Sequence, residues 1–421
     1  MTAHRIVLAN FGSFGDLHPY LGIARELQRR GHVPVIATVP HYREKVEAAG
    51  FLFAPVRFAE ITERPDAAMM GRILHLRTGP EFIIRELVMP SLRTAYADAA
   101  AALEGASLLV SHPLAYAAQL AAEARGLPWV STQLAPFGMV SAYDPPVIPF
   151  APLLTRLHGL GPRLWRPLLH LARQSARPWV HAVRDLRREL HLPDTGNPLF
   201  EGGASPWGTL ALFSPLLGKP QPDWPVRTTQ TGFAFYDGEE AALSPALKRF
   251  LHAGEPPIVF TLGTAAVHNP GSFYRDSAAA AQRLGRRAVL LVGRDATVSL
   301  PTYLPETMVV DYAPFSLLLP RAAAVVHQGG VGTTAQAMRS GRPMLVVPWG
   351  VDQPDNAERV RRLGIARVTT RKRYSADVAA HELELLLRGP GYAECASAVG
   401  NAARREDGAA VACDVIVSLL H

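Results

Sequence analysis

The stretch AAAVVHQGGVGTTAQAMRSG at residues 322–341, followed by MLVVPWGVDQP at 344–354, decides how this chain folds. Residues 322–326 form an apolar run too short for a helix. A glycine-rich turn follows at 327–332, and Thr333 and Thr334 open an expected helix that Gly341 closes. The unit then repeats, with a strand at 344–348, the loop WGVDQ, and Pro354 in the first turn of a helix, where its missing N–H is not needed. Strands and helices alternating at this spacing argue for a parallel, doubly wound α/β sheet.

Glycines at 329, 330 and 332 let the backbone come close to a ligand. The helix start beyond them offers unpaired N–H groups and a positive dipole end. A diphosphate fits such a loop, with His327 and the hydroxyls of Thr333 and Thr334 as added donors. Asp352 and Gln353 lie at the carboxyl end of the next strand, where a carboxylate and an amide grip sugar hydroxyls in fixed directions. Capping by Asp352 and a merely tight glycine turn are the structural alternatives; two such loops side by side favour the site.

HQGGVGTT followed by PWGVDQPDNAERV resembles the donor signature of the nucleotide-sugar glycosyltransferases, the family of sterol glucosyltransferases, glycopeptide-antibiotic glycosyltransferases and UDP-glycosyltransferases. GSFGDLHPYLGIAREL near the start, DWP and TGF between 223 and 233, and DQPDNAERV also resemble a rhamnosyltransferase of rhamnolipid synthesis. The resemblance implies the GT-B fold: two Rossmann-like domains facing across a cleft, with the donor mostly on the C-terminal one. It implies that Thr264 faces the phosphates and that Tyr312, Ala313 and Pro314 meet the base, tyrosine replacing a stacking tryptophan. Gly12 and Ser13 join these donor-contacting positions. Where plant members carry a ribose-binding glutamate this chain has Ala335, next to Gln336, which relaxes the demand for uridine and admits a thymidine donor.

The rest of the chain continues the alternation. Strands are expected at 5–10, 33–39, 51–56, 107–111 and 128–132, and again from 256, with a first helix from His18 to Arg30. The expected organisation is an acceptor-binding domain at 1–217, a proline- and glycine-rich connection at 218–240, a donor domain at 241–406, and a last helix at 407–421 that returns to the first domain. A region from about Asp144 to Arg188 interrupts the pattern. Between Ala151 and Leu190 it holds eight arginines against Asp185 and Glu189, interleaved with leucine and tryptophan. It reads as amphipathic helices that meet an anionic membrane surface or an amphiphilic acceptor, or as a solvated face with arginine stems on the core.

Inverting transfer needs one base on the face opposite the leaving group and no covalent intermediate. Asp16, in GSFGDLHP at the carboxyl end of the first strand, is the candidate, aligned with the catalytic histidine or aspartate of relatives. Its alternative is an N-cap for a helix beginning at Leu17, and His18 is a rival base. A carboxylate of ordinary pKa, about 3.9, is a poor base at neutrality, and packing by Phe11, Phe14 and Leu17 would raise it. His112 falls where relatives carry the aspartate that orients their histidine; it would contact the acceptor or relay the proton from Asp16, or be a structural histidine at a strand end. Neither metal nor cofactor is expected, because the chain lacks an Asp-x-Asp signature; the helix end and His327 would neutralise the leaving diphosphate.

Composition is that of an ordinary soluble globular protein large enough for two domains: 421 residues, 48% hydrophobic and 19% charged, with two cysteines. No apolar run is long enough to span a membrane, and MTAHR before strand-like IVLAN lacks the pattern of a secretion signal. The cytoplasm is the expected location, with peripheral contact at the inner membrane face through 151–190. No aromatic-basic reader motif accompanies the charge of +7, which argues against nucleic acid. The first loop lacks the leading glycine of a dinucleotide fingerprint, and the second strand has no acid at its end, which argues against an oxidoreductase. The expected reaction is sugar transfer from dTDP-rhamnose or UDP-glucose to a hydroxyl of a lipid or natural product. Rhamnosyl transfer to a hydroxyacyl lipid comes first and glucosyl transfer to a sterol or polycyclic aglycone second. A sugar-nucleotide epimerase is the rival of another class.

Overall fold

The computed structural model describes residues 2–58, 66–148, 150–238, 242–293, 300 and 306–420. Two parallel sheets organise it. The first is built from β1 (Arg5–Ala9), β2 (Val33–Thr38), β3 (Leu52–Pro55), β4 (Leu108–Ser111), β5 (Trp129–Gln133), β6 (Thr209–Ala211) and β7 (Thr228–Gln230), in the order β3-β2-β1-β4-β5-β6-β7. The second contains β8 (Ile258–Thr261), β9 (Ala288–Leu291), β10 (Thr307–Val310), β11 (Ala324–His327), β12 (Met344–Val346) and β13 (Ala366–Val368), in the order β10-β9-β8-β11-β12-β13. Every neighbouring pair is parallel. The central strands β4, β8, β9 and β11 are buried along their whole length, as continuous apolar runs covered on both faces must be.

The helices that matter below are α1 (Phe14–Arg29), α2 (Ala67–Ile73), α3 (Pro162–Ala176), α4 (His181–Glu189), α5 (Val331–Ser340), α6 (Gln353–Arg362) and α7 (Gly408–Ser418). Two of them start earlier than the sequence suggests. α1 opens at Phe14 because Ser13 is its N-cap and Asp16, three residues on, reaches back to the Ser13 N–H. α5 opens at Val331 behind an extended Gly330, so Gly332 and both threonines lie inside its first turn. The strands β6, β7 and β13 are three residues each, too short to show a periodicity.

The chain divides into two compact units, one of Met1–Pro65, Arg77–Tyr236 and Glu406–His421, the other of Asp66–Leu76 and Asp237–Arg405. This differs from an unbroken first domain at 1–217. Residues 66–76 go with the second unit because Met70 and Leu74 are buried in its core with Phe260, Tyr274 and Trp349. Gly350 allows the contact, since any Cβ there would collide with the Leu74 carbonyl. The expected connection at 218–240 contains β7, which extends the first sheet, and its end at 239–240 lies outside the described residues. α7 belongs to the first unit, with Cys413 and Ile416 buried and Asp414 bound by Arg30 of the loop after α1. Among the described residues no helix is long and apolar enough to cross a membrane.

Candidate active site

In the first sheet the strand order reverses between β1 and β4, the place where loops at the carboxyl edge part and leave a crevice for ligands. Asp16 follows β1 and His112 follows β4. Ser13 binds the Asp16 carboxylate twice at Oδ2, from its N–H at 2.7 Å and its hydroxyl at 2.8 Å. A Cβ on Gly12, which has φ of +128°, would lie 2.5 Å from the same oxygen. Gly12 is therefore required for this close approach, and Ser13 spends both its donors on Asp16 rather than on a donor substrate. Burial raises the Asp16 pKa, and the two Ser13 bonds oppose it only in part. The carboxylate sits in the first helical turn and not at the cap, so the N-cap reading of Asp16 gives way to Ser13.

His112 is buried, and its Nδ1 accepts from the Leu114 N–H at 3.2 Å. The ring proton is then on Nε2, and burial pushes the pKa down to about 3. A neutral ring with Nδ1 occupied donates one hydrogen bond but takes up no proton. Among the described residues no hydrogen bond joins His112 to Asp16, so the relay between them is not assembled; a donating contact to a substrate remains open to Nε2. His18 lies one step further along α1, edge-on to Phe14 with ring centroids 4.4 Å apart.

The second sheet reverses its order between β8 and β11, and the glycine-rich loop leaves from β11 at that point. Gly329 has φ of +88°, and a Cβ there would meet Val346 at 2.9 Å and the Gln353 carbonyl at 3.0 Å. Glycine is thus needed both for the turn and for the close contact of the two loops. Thr264 is exposed at the end of β8. Gly263 before it packs against Gln328 and Thr333, which places Thr264 and the first turn of α5 on one edge.

His327 does not join them. It is fully buried, its Nδ1 accepts from the Gly329 N–H at 3.1 Å, and its Nε2 lies 3.3 Å from the Met344 sulfur. Burial pushes its pKa down to about 3, so it is neutral and shapes the loop from beneath rather than countering phosphate charge. Thr334 is likewise turned inward, with a buried hydroxyl that finds no partner among the described residues. Thr333 faces Gln328, at 3.5 Å.

The loop after β12 carries the other half. Asp352 is the N-cap of α6, and its Oδ2 accepts from Asn356 Nδ2 at 2.7 Å. The same Nδ2 donates to the Gly329 carbonyl at 3.0 Å, tying this loop to the glycine loop. Gln353 Oε1 is taken by the N–H groups of Trp349 at 2.8 Å and Gly350 at 3.3 Å, which leaves Nε2 as the amide's remaining donor. Asn356 was not singled out from the sequence, although the Asp–Asn spacing of four on a helix puts them on one face.

Tyr312, just beyond β10, is 59% exposed, while Ala313 and Pro314 behind it are buried. An exposed ring beside a buried backbone makes a stacking surface. Ala335 is buried, and Gln336 donates to Asp237, so neither presents a carboxylate. Along the carboxyl edge the order is Tyr312 at β10, then β9, Thr264 at β8, the glycine loop at β11 and Asp352 at β12. Three strand spacings separate the ring from the glycine loop, ~14 Å at about 4.8 Å each.

Residues 6–143 match the glycosyltransferase family 28 N-terminal domain, and residues 283–416 match the C-terminal domain of erythromycin biosynthesis protein CIII-like proteins. Over 98% of its length the chain is 33% identical to the O-mycaminosyltylonolide 6-deoxyallosyltransferase of Streptomyces fradiae, covering 96% of that protein. This chain is a member of that glycosyltransferase family. The glycosyltransferase is also 28% identical to the vancomycin aglycone glucosyltransferase of Amycolatopsis orientalis, over 98% of this chain and 97% of that one. Its fold is that of the glycosyltransferase VinC, solved in complex with DTDP, with a TM-score of 0.68, 21% identity and 99% of both chains covered. The two parallel-sheet α/β units are those of the GT-B glycosyltransferases. Membership sets the epimerase reading aside.

Proposed function

We propose that this glycosyltransferase moves a deoxyhexose, with inversion, from a dTDP-activated donor to a hydroxyl of a lipid-like or polycyclic acceptor. The order of side chains along the second sheet carries the donor half. A stacking ring, a phosphate loop at a helix start and a carboxylate with an amide follow one another as base, diphosphate and sugar do in a nucleotide sugar. Three observations support a thymidine donor: Ala335 is buried, Gln336 is engaged by Asp237, and VinC was solved with DTDP. The named 6-deoxyallosyltransferase supports a deoxy sugar. Within this reading, rhamnosyl transfer to a hydroxyacyl lipid rests on the DQPDNAERV and GSFGDLHPYLGIAREL stretches. Glucosyl transfer from UDP-glucose to a sterol or polycyclic aglycone is the second reading, supported by the vancomycin aglycone relative.

In the proposed mechanism Asp16 takes the proton of the acceptor hydroxyl as that oxygen attacks the anomeric carbon and the nucleoside diphosphate leaves. A pKa raised by burial brings the carboxylate nearer the optimum for a base at neutrality. N–H groups at the start of α5 receive the charge that grows on the diphosphate, without metal or cofactor. The deciding experiment incubates the enzyme with dTDP-rhamnose or UDP-glucose, each with a hydroxyacyl lipid and a polycyclic aglycone, with Asp16→Asn as control, and weighs the products. A deoxyhexose gain lost in the variant supports the proposal. A hexose gain only with UDP-glucose moves the assignment to the second reading.

A further inference from the structure

From Pro145 to Arg184 the chain has six arginines and no aspartate or glutamate. Folding finds partners for some of them. Arg184 pairs with Asp194, and Arg173 reaches the Val140 carbonyl; further along, Arg187 and Arg188 pair with Glu123 and Asp185. Arg156, Arg163, Arg166 and Arg177 remain exposed; among the described residues the first three form no ion pair with a carboxylate, and Arg177 only joins Arg184 in the field around Asp194. Among the described residues Arg166 meets the Tyr143 hydroxyl and ring.

The same segment leaves apolar side chains in solvent. Leu153 is 68% exposed, Leu160 63% and Leu171 67%, with Phe150 and Leu168 also exposed. On α3 the arrangement is ordered. At about 100° per residue, buried Trp165, Leu169 and Ala176 define the inner face. The outer half divides into two adjacent sectors, one holding Arg163, Arg166 and, just past the helix end, Arg177, the other Leu164, Pro167, Leu168 and Leu171. A helix that merely faced water would not gather leucines in one outer sector. Cations flanking leucines on one exposed half suit a plane where apolar chains enter acyl tails while guanidinium groups stay among phosphates.

We infer that the face formed by residues 150–177 docks this glycosyltransferase on an anionic phospholipid bilayer, with α3 lying in the interface plane. Charge complementarity selects the surface: four exposed arginines, three of them without a carboxylate partner among the described residues, attract acidic headgroups, and the leucine sector supplies the apolar insertion. The inference does not depend on which sugar or acceptor the enzyme uses.

Flotation of the purified full chain with vesicles tests it. Phosphatidylglycerol-rich vesicles should carry the protein, pure phosphatidylcholine vesicles should carry much less, and raised salt should release it. Replacing Arg156, Arg163 and Arg177 together by Gln should weaken binding to the acidic vesicles on the order of a hundredfold, at about fivefold for each basic residue. Leu171→Ser, on the outer face, should weaken it further, and thermal melting of both variants should match the wild type. Absence of binding to acidic vesicles at low salt overturns the inference. So does binding that the arginine triple variant retains, or self-association that the same variants abolish while vesicles go unbound, which would make the face a protein interface.

Discussion

Asn356 Nδ2 donates to Asp352 Oδ2 at 2.7 Å and to the Gly329 carbonyl at 3.0 Å, so one fully buried amide fixes the loop after β12 against the loop after β11. If these loops hold the sugar and the diphosphate, their spacing decides how well both ends of the donor are met at once. Asn356→Asp puts an oxygen where both acceptors need a donor. A hydrogen bond to a charged group is worth about 1.5–3 kcal/mol, so the donor KM should rise roughly ten- to hundredfold, with acceptor KM little changed. A variant that melts as the wild type does and keeps its donor KM would show that the bridge is structural only.

Gly12 offers a sharper test of Asp16. Its φ of +128° is foreign to other residues, and a Cβ would lie 2.5 Å from the carboxylate oxygen that Ser13 binds. Gly12→Ala must push the Asp16 side chain aside while leaving its chemistry in place. Losing a positioned general base costs about 10²–10⁴ in rate, and kcat should fall into that range. The donor KM, set by the second unit in this proposal, should hold. Full activity in Gly12→Ala would mean that the position of Asp16 does not matter to turnover.

Much of this was legible in the chain. The β1 and β11 runs, the glycine loop and the DQ loop carry local signals, because strand and turn preferences act over a few residues. What escaped depended on contacts distant in sequence. The membership of residues 66–76 in the second unit follows from Met70 and Leu74 finding that core, which no local pattern encodes. The inward turn of His327 follows from the Met344 sulfur on the neighbouring strand and from the Gly329 N–H. A histidine beside glycines invites a phosphate role, yet a fully buried neutral ring cannot fill it. The Ser13–Asp16 pair is legible as a serine followed three residues later by an acid, but a helix start expected at His18 places that pair outside the helix.

Two buried histidines should make the fold acid-sensitive. His112 and His327 are both pushed down to about 3 by burial, against an ordinary 6.5. As pH falls below 6.5 the unfolded chain takes up protons that the folded chain refuses, so stability declines until the folded groups themselves titrate. At pH 5 the loss is about 2 kcal/mol for each histidine, roughly 4 kcal/mol together if they act independently. His112→Gln should reduce the difference in unfolding free energy between pH 7 and pH 5 by about half of this joint contribution. An unchanged pH dependence in denaturant titrations would place the sensitivity in other groups.

Asp16 acts in the opposite direction. Its folded pKa lies above 3.8 because the charged form is desolvated, with the Ser13 bonds opposing this in part. Between the unfolded and folded values the native chain keeps a proton that the unfolded chain has lost. Stability from this group is therefore complete below the ordinary value and is lost as pH rises through the raised one. Asp16→Asn cannot ionise and can still accept from the Ser13 N–H, so its melting temperature relative to wild type should be higher at pH 7 than at pH 4. Its kcat should fall by about 10²–10⁴ if the carboxylate is the base. Wild-type kcat/KM should drop on the acid side as Asp16 takes up its proton, and the residual activity of the variant should lack that limb. Parallel pH profiles of both stability and rate in the two proteins would assign the base, and the buried charge, to another residue.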